Sequence, residues 1–496
     1  GREPLVAGSD RLTYQDLEDR SNSLANTLIE HGVEYGDRVA VMMDNGSKCV
    51  TAIWAALKAG GIFLVINPTT KQHKTEYILN DCGATALITQ SSKWKSVSGA
   101  ALGCPSLRCV ILAGKESAAP EGFSAEMIPW DEALKSTASR PGIRTIDIDL
   151  ASLVYTSGTT GNPKGVMMTH RNMISASTSI TTYLDNVSQD IILNALPLSF
   201  DYGLYQVIMA AQFGGKVVLE KSFTYPYAII NKLREEKVTG FPVVPTMLTI
   251  LLNLKDIQHE EFEHLRYITN TAAALPVSHI RKFREYFPDV TVYSMYGLTE
   301  CKRVSYLPPE MIDEKPSSVG KGMPNEQVYL VDDEGNVIDK PNIPGELVVR
   351  GGNVSRGYWG KPEETARILK EGKYPWEKVL YTGDIFEMDR DGYLYFISRK
   401  DDIIKSRGEK VSPREIENVL YMLDDVMEAA VTGVPDELLG EAIKVYLRLA
   451  EGSQLTEKDI LRHCASNLED FMVPQSVEIR DSLPKTSSGK ITKKGI

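Results

Sequence analysis

The stretch Leu153-Val154-Tyr155-Thr156-Ser157-Gly158-Thr159-Thr160-Gly161-Asn162-Pro163-Lys164-Gly165-Val166-Met167 decides how the rest of the chain is read. A short apolar run enters a loop of hydroxyl and glycine residues, one lysine closes it, and a second apolar run follows, which predicts strand, turn, strand. Glycines let backbone N–H groups converge on an anion, Ser and Thr hydroxyls add donors, and Lys164 brings mobile positive charge. A polyphosphate suits that chemistry. A Walker A loop is excluded, because Pro163 stands where the second glycine belongs and Gly165 follows the lysine in place of Ser or Thr. A surface hairpin rich in small residues is the plainer reading, and the unbroken Ser, Thr and Gly run from Thr156 to Gly161 argues against it.

The 496 residues exceed what one core holds, so two or more domains are expected. A net charge of −11 argues against a nucleic-acid partner, whose phosphates need a basic face. No apolar run reaches about 18 residues, so no membrane-spanning helix is expected. Cys49, Cys82, Cys104, Cys109, Cys301 and Cys464 show no C-x-x-C spacing, which suggests neither a zinc site nor a disulfide framework, and a reducing cytoplasm fits. From Gly1 onward no signal-peptide pattern appears.

Thr13-Tyr14-Gln15-Asp16 reads as a helix start with an acidic third position, and Leu17, Leu24 and Leu28 share a face before Gly32. A strand over 38–43, a helix over 52–59 and a strand over 62–66 follow at βαβ spacing, which predicts a parallel sheet covered by helices. A second α/β set runs from His170 to about Gly297, with helices over 172–182 and 204–213 and a strand over 216–219. From Val328 short β runs alternate with turns such as Asp332-Asp333-Glu334-Gly335 and Asp389-Arg390-Asp391-Gly392. Beyond Arg399 come a helix over 413–423, strands over 428–432 and 443–449 and a helix over 457–465. The expected class is α/β. A large N-terminal domain of βαβ-type parallel sheets spans 1–400, its β-rich subdomain about 328–400, and a small mobile α+β lid spans 401–496.

Four further segments carry chemistry. Tyr293-Ser294-Met295-Tyr296-Gly297-Leu298-Thr299-Glu300 offers a flat aromatic face, a hydroxyl and a carboxylate suited to a hard cation, or else an ordinary strand end with an exposed acid. Tyr381-Thr382-Gly383-Asp384 places a carboxylate after a glycine turn, which can accept ribose hydroxyls or merely cap a strand. The charged run from Ser398 to Pro413 reads blandly as a solvated linker, and Leu483-Pro484-Lys485-Thr486-Ser487-Ser488-Gly489-Lys490-Ile491 as a frayed tail.

In this order the five segments resemble the signatures of the adenylate-forming superfamily: acyl-CoA synthetases, adenylation domains and luciferases. That resemblance implies ATP and Mg²⁺, with Lys490, Lys164, Glu300 and Thr299 catalytic and Glu300 the metal ligand. It also implies that Thr156, Ser157, Gly158, Thr159, Thr160, Gly161, Thr271, Ala272, Ala273, Tyr296, Gly297, Asp384 and Arg399 hold the nucleotide. By the same resemblance Asp401 is a hinge and Gly408 lies where a pantetheine arm threads. The acid would become an acyl-adenylate and pass to CoA or to the phosphopantetheine thiol of an acyl or peptidyl carrier protein acting in trans.

Leu198-Ser199-Phe200-Asp201-Tyr202-Gly203 looks like the amino-acid-activating branch, in which the aspartate pairs with an ammonium; an Asp201 bonded within the protein is the alternative. By the same alignment Asp201, Tyr202, Tyr205, Pro242, Asn270, Met295, Arg303 and Val304 line a pocket, and Tyr205 and Met295 make it compact. Arg350-Gly351-Gly352-Asn353 to Trp359 and Gly408 to Glu415 resemble acyl-CoA synthetases and stand-alone carrier-loading enzymes. Cys301-Lys302-Arg303 departs from both patterns, and Arg303 would equally bind a polar or acidic substrate tail. A stand-alone amino-acid adenylation enzyme is therefore the alternative to an acyl-CoA ligase, and a luciferase-like oxygenase a remote one.

Overall fold

The runs on either side of the decisive loop form the expected hairpin, Leu150–Thr156 and Lys164–Thr169, with Thr156 opposite Lys164 and Tyr155 opposite Gly165. At Gly165 a Cβ would lie 3.1 Å from the Tyr155 ring, so the small residue lets the two strands close. The computed structural model describes residues 3–496 except 116, 143–144, 157–161, 256, 258–259, 261, 272–274, 401, 407–408, 437–438, 487–490 and 494.

The hairpin ends a seven-stranded sheet in the order Glu126–Pro129, Cys109–Ala113, Ala84–Gln90, Arg38–Met42, Ile62–Val65, Leu150–Thr156, Lys164–Thr169. All neighbours but the hairpin are parallel, as βαβ connections through Ser47–Lys58 and Gln72–Cys82 require. A nine-stranded sheet carries the second set, with Ile191–Asn194, Gly240–Val243, Tyr267–Asn270 and Thr291–Tyr296 parallel at its centre. One apolar core, running from Leu24 and Val41 to Leu193 and Ile268, joins the two sheets. A five-stranded antiparallel sheet built on Gly345–Gly351 and Lys378–Met388 has its own core around Leu347 and Phe386. The last sheet, centred on Val426–Asp436 and Gly440–Leu449, packs with helices Pro413–Leu420 and Glu457–Asn467 around Ile416, Val431 and Ile460.

Local chemistry explains most boundaries. Helix Tyr14–Glu30 begins at a capping box in which Thr13 and Asp16 satisfy each other's backbone N–H groups, worth about 1 kcal/mol. The helix expected over 52–59 begins earlier, at Ser47, because its cap, Gly46, offers no side chain to mark it. The strand expected over 428–432 extends over Val426–Asp436, since its long partner Gly440–Leu449 supplies hydrogen bonds along its whole length. Leu5–Ala7 and Asp10–Leu12 join the nine-stranded sheet beside Lys216–Leu219, a pairing across two hundred residues that no local pattern announces. All six cysteines are buried free thiols. Among the described residues no helix is long and apolar enough to cross a membrane.

Candidate active site

Most of the segments singled out in the sequence converge at the ends of the two large sheets. Lys164 opens its strand with Nζ 5.3 Å above the ring centre of Tyr358. That tyrosine is reached because residues 356–359 run along the hairpin's free edge, where Arg356 N donates to Met167 O at 2.9 Å and Trp359 N to Gly165 O at 2.8 Å. The Tyr358 hydroxyl donates to Glu300 Oε1 at 2.7 Å, and the backbone carbonyl of Glu300 accepts from Ser355 N at 2.8 Å. Burial first, and the Glu300 charge second, push the Tyr358 hydroxyl well above its ordinary pKa, so it stays a donor.

Glu300 lies four residues beyond Tyr296, the last residue of strand Thr291–Tyr296. Tyr296 donates its hydroxyl to Asp384 Oδ2 at 2.5 Å, and Arg399 Nε donates to Asp384 Oδ1 at 2.8 Å. Asp384 and Arg399 are register partners on neighbouring strands, which sets the second contact by backbone geometry. Asp384 is buried, Arg399 half-exposed. The nearby Asp384 charge raises the Arg399 pKa further, and burial, ahead of that same charge, raises the Tyr296 hydroxyl far above its usual range. Lys164, Tyr358 and Glu300 thus lead through one short turn to Tyr296, Asp384 and Arg399, linking four of the five signatures.

Thr156 ends its strand half-buried opposite Lys164, and Gly297 and Thr299 lie on the turn that carries Glu300. A Cβ on Gly297 would meet Lys302 O at 2.2 Å, so this turn closes only over glycine. Thr271 follows strand Tyr267–Asn270 with a buried Oγ1 that has no partner among the described residues. Ser157, Gly158, Thr159, Thr160, Gly161, Ala272, Ala273, Asp401, Gly408 and Lys490 lie outside the described residues.

The expected pocket residues gather beside the same turn. Asp201, Tyr202 and Tyr205 occupy the first turns of helix Asp201–Phe213, all buried. Pro242, Asn270 and Met295 come from adjacent parallel strands. Tyr202 donates its hydroxyl to Thr269 O at 2.7 Å, and Tyr183 donates to Met295 Sδ at 2.9 Å while stacking on Tyr306 with centroids 4.0 Å apart. Arg303 lies over the Tyr202 ring at 4.6 Å. Val304 packs with Val319, Leu330 and Leu347 in the core of the β-rich sheet. Two residues escaped the sequence reading. Tyr358 lay within the 350–359 segment that resembles acyl-CoA synthetases but was given no role, and Lys302 lay in a segment that fitted no pattern.

Chemically, the arrangement offers a lysine cation and a hard oxygen donor at one end, a carboxylate fixed by a tyrosine and an arginine at the other, and a cluster of buried aromatic side chains beside them. Comparison with known proteins accords with it. Residues 1–359 match the family described as AMP-binding enzyme, and residues 415–490 the AMP-binding enzyme C-terminal domain. The chain is 32% identical over 507 residues to a long-chain-fatty-acid–CoA ligase of Bacillus subtilis strain 168, covering 98% of this chain and 89% of that protein. It is 32% identical over 489 residues to a feruloyl-CoA synthase of Amycolatopsis sp, covering 98% and 93%. Among solved structures, o-succinylbenzoate coenzyme A synthetase from Bacillus subtilis with ATP and magnesium superposes with a TM-score of 0.85 at 28% identity, covering 99% and 95%.

Proposed function

This chain belongs to the adenylate-forming family of AMP-binding enzymes, and from that premise we propose that it joins a compact carboxylic or amino acid to a thiol, by way of an acyl-adenylate. The observation that carries this is the continuous set of contacts from Lys164 through Tyr358 and Glu300 to Tyr296, Asp384 and Arg399.

A carboxylate that attacks the α-phosphorus of ATP approaches an anion, so the protein's work is in-line positioning and neutralisation of charge. Asp384 accepts the ribose hydroxyls, oriented by the Tyr296 hydroxyl and by Arg399. Lys164 and the loop before it hold the β- and γ-phosphates, and Thr271 and Thr299 donate toward the α-phosphate. Glu300, a hard oxygen donor fixed by the Tyr358 hydroxyl, fits Mg²⁺, which when bound supplies charge neutralisation at the phosphate oxygens. Lys490 donates to the attacking carboxylate and the α-phosphate as the P–O bond to pyrophosphate breaks. A thiol then attacks the acyl carbon and AMP leaves. The chain divides near residue 400, and its small C-terminal domain turns about Asp401 between the two steps, withdrawing Lys490 and bringing up Gly408.

CoA is the first choice of thiol, in keeping with the relatives' names. The second reading, an amino acid loaded onto a carrier protein in trans, rests on the buried Asp201. Compactness follows from Tyr183, Met295 and Tyr205, whose bulk fills the region beside helix Asp201–Phe213. The test is ATP-dependent pyrophosphate release across amino acids, aryl acids and short to medium acyl acids, with and without CoA. Acid-dependent release and a CoA thioester are expected; failure of every acid to give AMP would end this reading.

A further inference from the structure

Burying a cation is costly unless an anion or hydrogen-bond acceptors face it. Lys302 and Arg303, adjacent in sequence, are 2% and 3% exposed. Among the described residues, Lys302 Nζ and Arg303 Nε make no hydrogen bond, nor does the buried hydroxyl of Tyr205. Arg303 Nη1 donates to the Lys302 carbonyl at 3.2 Å, and both side chains lie against aromatic rings: Lys302 Nζ is 5.1 Å from the Tyr205 ring centre and Arg303 Cζ 4.6 Å from that of Tyr202. Asp201 and Glu300 supply the negative charge around Lys302, and Glu300 is already engaged by Tyr358. The charge of Lys302 is therefore met chiefly by Asp201.

The backbone is held to present them. Lys302 has φ +72°, the left-handed region that a side-chain-bearing residue enters at a cost. Lys302 N donates to Leu298 O at 2.7 Å, and the Asn353 amide donates to Cys301 O at 2.8 Å and Arg303 O at 3.1 Å, clasping the turn from the β-rich sheet. A pair kept only for packing would be served by Leu or Met without the desolvation.

We infer that Lys302 and Arg303 form the far end of the acid pocket and bind a second carboxylate, so that the acid activated is a compact dicarboxylic acid. One carboxylate is adenylated and the other lies between the lysine and the planar guanidinium fork, whose geometry matches a carboxylate. Asp201 then counters Lys302 and does not receive a substrate ammonium. This rests on the ligase reading above.

The test is ATP–pyrophosphate exchange by the full chain with straight dicarboxylic acids from succinate to suberate, monocarboxylic acids of matched length and the corresponding ω-amino acids. The expected result is a kcat/KM for the best dicarboxylate at least roughly tenfold above its monocarboxylate match. Lys302→Met and Arg303→Met should each cut that preference roughly tenfold or more, and Arg303→Lys should keep part of it. Wild-type exchange that is equal or better with monocarboxylates or ω-amino acids overturns the subsite and leaves the ligase reading standing. That comparison needs no folded variant. Exchange with no acid at all overturns both.

Discussion

Tyr358 serves two neighbours with one side chain: its ring lies beneath Lys164 and its hydroxyl holds Glu300. Removing the hydroxyl alone separates these contributions. Hydrogen bonds to charged groups are worth roughly 1.5–3 kcal/mol, so Tyr358→Phe should lower kcat/KM for ATP roughly tenfold to a hundredfold. Tyr358→Ala should lower it further, because the cation–π contact with Lys164 goes as well. Steady-state kinetics in ATP at saturating acid reads both; a Phe variant equal to wild type would sever the link between Glu300 and Tyr358. The sequence marked the segment around this residue but not its role, since its partner lies 58 positions upstream and the two meet only because residues 356–359 follow the hairpin edge. Asp384 and Arg399, by contrast, were legible, being register partners within recognisable segments.

Elements were most legible where a side chain marks the end, as at Thr13, and least where pairing is non-local. The N-terminal strand pair is the clearest instance, fastened far from its own neighbourhood. Glu236, buried just beyond helix Pro226–Glu235, accepts Lys216 Nζ at 2.6 Å and also Arg11 of strand Asp10–Leu12. Burial raises the Glu236 pKa, but its hydrogen bonds to Lys216 and Arg11 outweigh that and leave it below the ordinary 4.5. A carboxylate depressed in the folded state stabilises above its unfolded value and loses that contribution as pH falls through the folded value. Glu236→Gln should therefore destabilise the neutral protein by roughly 1–2 kcal/mol, discounted because Arg11 is half-exposed. Thermal melts of both proteins should draw together as pH drops below 4.5; a gap that persists into acid would assign the loss to packing.

Across the whole molecule, the C-terminal sheet has a core of its own and meets the rest at several side chains. Ser278 Oγ donates to Tyr421 O at 3.4 Å, and His279 and Tyr421 meet with ring centroids 6.3 Å apart. The residues flanking 487–490 are anchored: Lys485 bridges to Ile491, Thr492 N donates to Pro484 O at 2.9 Å, and Leu483 packs with Ala430 and Tyr446 of that sheet. The proposed turning of the small domain would thus carry Lys490 with it. Lys490→Ala should depress adenylate formation by roughly 10²–10³-fold, the scale of losing one preorganised charge donor, and spare thioester formation from a supplied acyl-adenylate. Comparable loss in both half-reactions would refute the two-position scheme. The hinge motif and the terminal loop were recognisable as segments, but their reach across the molecule depends on rigid-body placement, which residue patterns do not encode.

The Asn353 clasp has an evolutionary corollary. It braces one wall of the proposed acid pocket from the β-rich sheet, through backbone carbonyls that any sequence at positions 301 and 303 would offer. Descendants of such a scaffold can therefore exchange those side chains and acquire new diets while the machinery that burns ATP is inherited unaltered.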